Sequence, residues 1–190
     1  KSDGNRPPSF TKQVIVSGND IDGANAVLAA DMDNDSDIDI VATSRNKISW
    51  FANNGFQSFT QHIISTSQDS PESIFIADIN ADNNKDIIVV SSGDDTLVWY
   101  ESDGLNPVGF TSHYVFSESL GGDVSSDQDF PVTVSVGDMN GDLRMDIVVG
   151  SQTDRPVAWY QTEGYSEGVA LSKHIISSTE NIKHIRLIDM

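Results

Sequence analysis

No cysteine occurs in the 190 residues, which excludes disulfides and thiolate metal sites and leaves the redox compartment illegible. Basic residues are scarce: Lys and Arg total 11 against 29 Asp and Glu, a formal charge of -18. That balance argues against nucleic acid or an anionic membrane surface as partner, since both are bound through basic surface. A cation is the natural partner. No apolar run approaches the roughly 18 residues of a membrane-spanning helix, so no membrane insertion is expected. The opening "KSDGNRPPSF" lacks the apolar stretch of a signal peptide, and the expectation is a mature chain or a piece cut from a longer precursor. A sustained 3.6-residue hydrophobic period is missing too, which argues against a helical repeat. No Ser-His-Asp order, Gly-rich phosphate loop or nucleophile motif stands out, so an enzyme is not the first expectation.

What the chain does contain is repetition. "DMDNDSDID" at residues 31–39 returns as "DINADNNKD" at 78–86 and "DMNGDLRMD" at 138–146, and "LIDM" begins a fourth copy at Asp189. Each copy follows a short apolar run and precedes matched segments: "DIVATS", "DIIVVS" and "DIVVGS", then "SWFANNG", "VWYESDG" and "AWYQTEG", then "FTQHIIS", "FTSHYVF" and "LSKHIIS". Four segments per unit, rich in Val, Ile, Trp and Tyr and punctuated by Gly, Asn, Asp and Ser, predict a small antiparallel meander. Starts at 31, 78, 138 and 189 are separated by 47, 60 and 51 residues. The long interval holds a polar insert, "SLGGDVSSDQDFP", expected to be a loop. A four-stranded unit of about 50 residues is the size of a propeller blade. The expected fold is all-β, a β-propeller of four-stranded antiparallel blades. Three complete blades are expected at residues 24–65, 71–117 and 131–177, with the outer strand of a preceding blade at 1–17 and the first strand of a further blade at 182–190. Such open ends expose strand edges, so either further blades of a longer chain or another copy of the chain is expected to complete them.

The acidic stretches carry the chemistry. Carboxylates at alternate positions repel one another unless a cation sits among them. A shell of six to eight oxygens suits calcium better than magnesium, which demands a tighter octahedron. The predicted side-chain ligands are Asp31, Asp33, Asp35 and Asp39; Asp78, Asn80, Asp82 and Asp86; and Asp138, Asn140, Asp142 and Asp146. Position seven is Asp37, Asn84 and Arg144, and because Arg cannot ligate a cation only its backbone carbonyl can serve all three loops. About one ion per complete blade, three in all, is expected. An EF-hand would need Glu at position twelve, which here is Ala42, Val89 and Val149 inside expected strands.

This pattern, D-x-[DN]-x-D-x-x-x-D ahead of "DIVV"-like and "WY"-like strands, resembles the FG-GAP/VCBS repeats of extracellular β-propellers, the class that includes the integrin α-subunit head. The resemblance implies structural calcium ions that pin the first strand to the second, and an extracellular or cell-surface location with a role in adhesion. One departure stands out. The family often has Gly at the sixth position, where this chain has Ser36, Asn83 and Leu143, so the turn there is expected to be strained or to use another conformation.

Other recurrent residues are better explained by structure. Trp50-Phe51, Trp99-Tyr100 and Trp159-Tyr160 could form a sugar-stacking platform, but alternation along a strand sends the two members to opposite faces, as packing between neighbouring blades requires. His62, His113 and His174 repeat on the outer strand, where Gln13 is the equivalent in the opening segment, so a structural place is expected; His184 has no repeat partner and stays open. The sequon at Asn34 lies inside the first loop, where a glycan would obstruct an ion. The leading functional expectation is a non-enzymatic, calcium-stabilised extracellular segment for adhesion, assembly or binding of a protein or carbohydrate ligand. The alternatives are part of a secreted carbohydrate-active protein, a lectin or a lyase or dehydratase, and a self-assembling filament subunit.

Overall fold

The computed structural model describes residues 11–16, 21–56, 58–105, 107–117, 130–152, 157–163, 171–177 and 184–186. The described residues form three four-stranded antiparallel sheets and no helix longer than an isolated turn. The first is β1 (Val27–Ala30), β2 (Asp39–Ser44), β3 (Lys47–Asn53) and β4 (Phe59–Ser65). The second is β5 (Pro71–Ala77), β6 (Asp86–Ser91), β7 (Thr96–Ser102) and β8 (Phe110–Ser117), and the third is β9 (Pro131–Gly137), β10 (Asp146–Ser151), β11 (Val157–Thr162) and β12 (Leu171–Ser177). Every sheet is a meander with its strands in chain order. This is the blade architecture of a propeller, in three copies. The insert expected as a loop falls, apart from Phe130 and Pro131 at its end, outside the described residues. So do parts of both terminal segments; residues 11–16 are described and form no strand.

The second strands explain the layering. β6 and β10 are buried along their whole length, and so is β2 but for Ile40; β6 packs one face against the first sheet and the other against the third. They accordingly read as continuous Val/Ile runs rather than alternating ones. The third strands do alternate. Trp50 packs forward with Ile74, Ile87 and Val89 of the second sheet, and Tyr100 joins the same cluster from the opposite side. One unit later Trp99 packs with Val134, Ile147 and Val149 of the third sheet, and Tyr160 faces back toward it. The aromatic pairs are thus inter-sheet packing, with Trp facing the next sheet and Tyr the preceding one. Each Trp also lies opposite the recurrent His on the fourth strand, in Trp50–His62, Trp99–His113 and Trp159–His174 pairs with ring centroids 4.6, 4.5 and 4.7 Å apart.

Between sheets the polar links also repeat. The Val134 amide donates to Ser73 Oγ at 3.3 Å, and one unit later the Ile185 amide donates to Thr133 Oγ1 at 3.2 Å. Ser73 and Thr133 each lie five residues before the first Asp of their loop, so residue 185 meets the third sheet as β9 meets the second. Asn25 Nδ2 donating to the Pro71 carbonyl and the Ser70 amide donating to the Arg45 carbonyl link the first two sheets.

Candidate metal centre

Each acidic stretch connects the first strand of a sheet to the second, closing on the pairs Ala30–Asp39, Ala77–Asp86 and Gly137–Asp146. Nine residues bridge this gap because the chain coils. Positions four and six are left-handed in all three loops: Asn34 and Ser36 (φ 60° and 74°), Ala81 and Asn83 (61° and 68°), Gly141 and Leu143 (79° and 67°). Sixth-position Ser36, Asn83 and Leu143 therefore keep the conformation that glycine would take most readily, at a cost of about 1 kcal/mol for a residue with a Cβ. Gly141 supplies the same left-handed geometry at position four.

The coil turns backbone amides onto the acidic side chains. The carboxylate at position one accepts from the amide at position six in every loop: Ser36 to Asp31 at 3.0 Å, Asn83 to Asp78 at 2.9 Å and Leu143 to Asp138 at 2.8 Å. Position five accepts from the amide of position seven, with Asp37 to Asp35 at 2.8 Å, Asn84 to Asp82 at 2.7 Å and Arg144 to Asp142 at 2.9 Å. The loop is ordered by its own peptide groups.

Position nine has a second role that its sequence pattern does not disclose. Asp39, Asp86 and Asp146 are fully buried, and each carboxylate holds two amides from different places. One oxygen accepts from position two, Met32, Ile79 or Met139, at 3.0–3.1 Å. The other accepts from the end of the third strand, Asn53, Ser102 or Thr162, at 2.8–2.9 Å. The carboxylate clasps the loop to two strands and still has lone pairs for a cation.

Position seven points elsewhere. A Cβ at Gly55 would lie 2.5 Å from Oδ2 of Asp37, and one at Gly104 would lie 2.3 Å from Oδ1 of Asn84, so these side chains pack on the glycines after the third strand. Both glycines have positive φ as well. In these two loops only the position-seven backbone is left to face the acidic group, whereas the Arg144 side chain of the third loop reaches Asp142 at 3.3 Å.

Among the described residues the structure brings one trio of acidic side chains together. Single carboxylate oxygens of Asp31, Asp33 and Asp39 all lie within 4.8 Å of one another. Oδ1 of Asp31 is buried and has no hydrogen-bond partner. Burial pushes the Asp33 carboxyl above its usual range, and the charges of Asp39, Asp35 and Asp31 push the same way, against one amide bond from Asp35. An orphaned oxygen in a pocket of mutually repelling carboxylates is a donor set that a hard cation fits. Asp35 stands beside this group and is turned toward the Asp37 amide.

The other two loops differ. In the second, Asn80 donates to Asp82 Oδ2 at 3.1 Å and to Glu101 Oε1 at 2.9 Å, and Glu101 in turn meets His113 Nε2 at 2.8 Å. Glu101 is a neighbour that sequence reasoning missed, because Ala52 and Gln161 occupy its place in the other sheets. In the third loop the amide of Leu143, with those of Gly141, Asn140 and Asp142, holds the Asp138 carboxyl below the usual range. Here Asp142 Oδ2 also receives Arg144 at 3.3 Å and Asn140 Nδ2 at 3.0 Å.

Burial, the largest cause, pushes the Asp86 carboxyl up to about 6, outweighing the Ser102 and Ile79 amides, with the charge of Asp82 adding to the rise. The unfolded group titrates near 3.8, so between about pH 4 and pH 6 the folded chain binds the extra proton. Stability therefore falls as pH rises through that window, by about 2 kcal/mol from this group once some screening is allowed for. Urea midpoints taken in chelator across this range should show the Asp86→Asn variant with a less negative slope than wild type; parallel slopes would refute the assignment.

With this geometry in hand, a family model described as an FG-GAP-like repeat matches residues 31–89 and again residues 78–149. Each match runs from one acidic loop to the second strand of the following sheet, and together they cover well over half of the chain. No curated protein matches it.

Proposed function

The chain belongs to the FG-GAP-like repeat family, and from that premise we propose that it is a calcium-stabilised, propeller-type scaffold, extracellular or on the cell surface, that serves adhesion, assembly or ligand binding without catalysis of its own. The observation that carries the metal reading is the trio of Asp31, Asp33 and Asp39 around the partnerless Asp31 Oδ1. Asp35 and the Asp37 carbonyl complete the candidate oxygen shell in the first loop. In the second it is drawn from Asp78, Asn80, Asp82, Asp86 and the Asn84 carbonyl, and in the third from Asp138, Asn140, Asp142, Asp146 and the Arg144 carbonyl. A bound calcium ion would neutralise the loop charge and tie first strand to second. The net charge of -18 supports the same reading, because a cation relieves self-repulsion that the 11 basic residues cannot.

A ligand that binds only the folded chain stabilises it by mass action, about 2.7 kcal/mol per site at a concentration 100 times Kd. Calorimetric melting in millimolar calcium is therefore expected to exceed melting in excess chelator by several degrees, and Asp33→Ala to remove the share of that difference owed to the first loop. Coincident melting curves would sink the proposal.

A further inference from the structure

The three loops share a backbone but not a charge balance. In the first, three carboxylates face one another and Asp31 Oδ1 has no hydrogen-bond partner. In the third, the Arg144 guanidinium lies 3.3 Å from Asp142 Oδ2 while its own amide donates to Oδ1 of the same carboxylate at 2.9 Å. Asn140 spends its amide nitrogen on that Asp142 oxygen too, at 3.0 Å. All four amides from position three to position six reach Asp138. Both carboxylates at the loop's centre are thus provided for by groups of the chain itself.

We propose that Arg144 is a built-in counter-cation that frees the third loop from needing a metal ion, so that calcium occupies the first and second loops and not the third. The inference rests on the calcium reading above and narrows its expected stoichiometry. The physical reason is direct. A guanidinium cannot be deprotonated in this setting, and at hydrogen-bond distance from Asp142 it cancels the charge that would attract an ion and repels the ion as well. Position seven holds Asp37 in the first loop and Asn84 in the second, and neither can do this.

The test is calorimetric titration of the metal-stripped chain with calcium chloride. Wild type is expected to take up about two ions, and Arg144→Gln about three, since the oxygen shell of the third loop is otherwise complete. Arg144→Lys keeps the positive charge without the planar fork and is expected to remain at about two. Arg144 is half-exposed, so these variants should fold, and circular dichroism checks that they do. In chelator Arg144→Gln should melt slightly below wild type, and calcium should restore it. Three equivalent ions in wild type, or three in Arg144→Lys, would overturn the counter-cation role while leaving calcium binding intact. No calcium uptake by wild type, with Asp33→Ala indistinguishable from it, would instead remove the calcium reading and this inference together.

Discussion

Replacing Asp86 by alanine is expected to destabilise the chain by about 3–5 kcal/mol in chelator, several times the effect of Asp82→Ala in the same loop. The two residues sit four positions apart in one acidic stretch, and sequence alone treats them as equal ligands. Their surroundings differ. Asp86 is fully buried and accepts the Ile79 amide at 3.0 Å and the Ser102 amide at 2.9 Å, while Asp82 is exposed and caps only its own loop. Removing the buried carboxylate leaves two buried amides without acceptors, each worth about 1–3 kcal/mol, and uncouples the loop from the third strand. Relief of a desolvated acid offsets part of this, which is why the range is not higher. The same reasoning predicts matching losses for Asp39→Ala and Asp146→Ala, whose amide contacts are equivalent. Urea titrations of Asp86→Ala and Asp82→Ala side by side decide the matter; equal midpoints would show that the clasp contributes nothing.

That comparison also marks where sequence reasoning stopped. The three sheets were legible because each strand type carries its own signature, four times over in spacing and three times over in residue choice. The loop was legible as a candidate cation site because Asp and Asn recur at positions one, three and five. With Arg144 at position seven, only the backbone carbonyl there could be a ligand common to all three loops, and the packing of Asp37 and Asn84 on Gly55 and Gly104 explains where those side chains go. The partners of position nine were not legible, because they are backbone amides of Asn53, Ser102 and Thr162, and any residue but proline supplies one. The left-handed sites divide the same way. Asn34, Asn83 and Gly141 advertise positive φ, whereas Ser36, Ala81 and Leu143 adopt it against their preference, held by the amide bonds of the coil. Glu101 escaped notice because a contact found in one sheet of three leaves no repeat to compare.

Repetition has a further consequence for the tryptophans, since equivalent residues need not be equivalently covered. Trp99→Ala is expected to cost about 3–5 kcal/mol, the usual range for removing a large aromatic from a packed core. Its ring is 3% exposed, stacks on His113 with centroids 4.5 Å apart, and fills the seam between the second and third sheets among Val134, Ile147 and Val149. The indole lies near enough to Asp86 to favour its ionised form but makes no hydrogen bond of normal geometry, so its buried N–H is an expense that packing outweighs. Trp99→Phe should consequently lose less than the change in volume suggests, because the partnerless N–H goes with the ring. Trp159 has the same place in the third sheet and the same His stack, yet it is only half-buried, and Met139 beside its loop is 38% exposed where Met32 and Ile79 are 1%. Trp159→Ala should therefore cost about 1–2 kcal/mol, the share owed to its own sheet and to His174. Chemical unfolding of the two variants at low protein concentration separates the cases. If the Trp159 loss equalled that of Trp99, the forward face of the third sheet would have to be covered in solution as the second sheet's is, and the difference in burial would no longer set the cost.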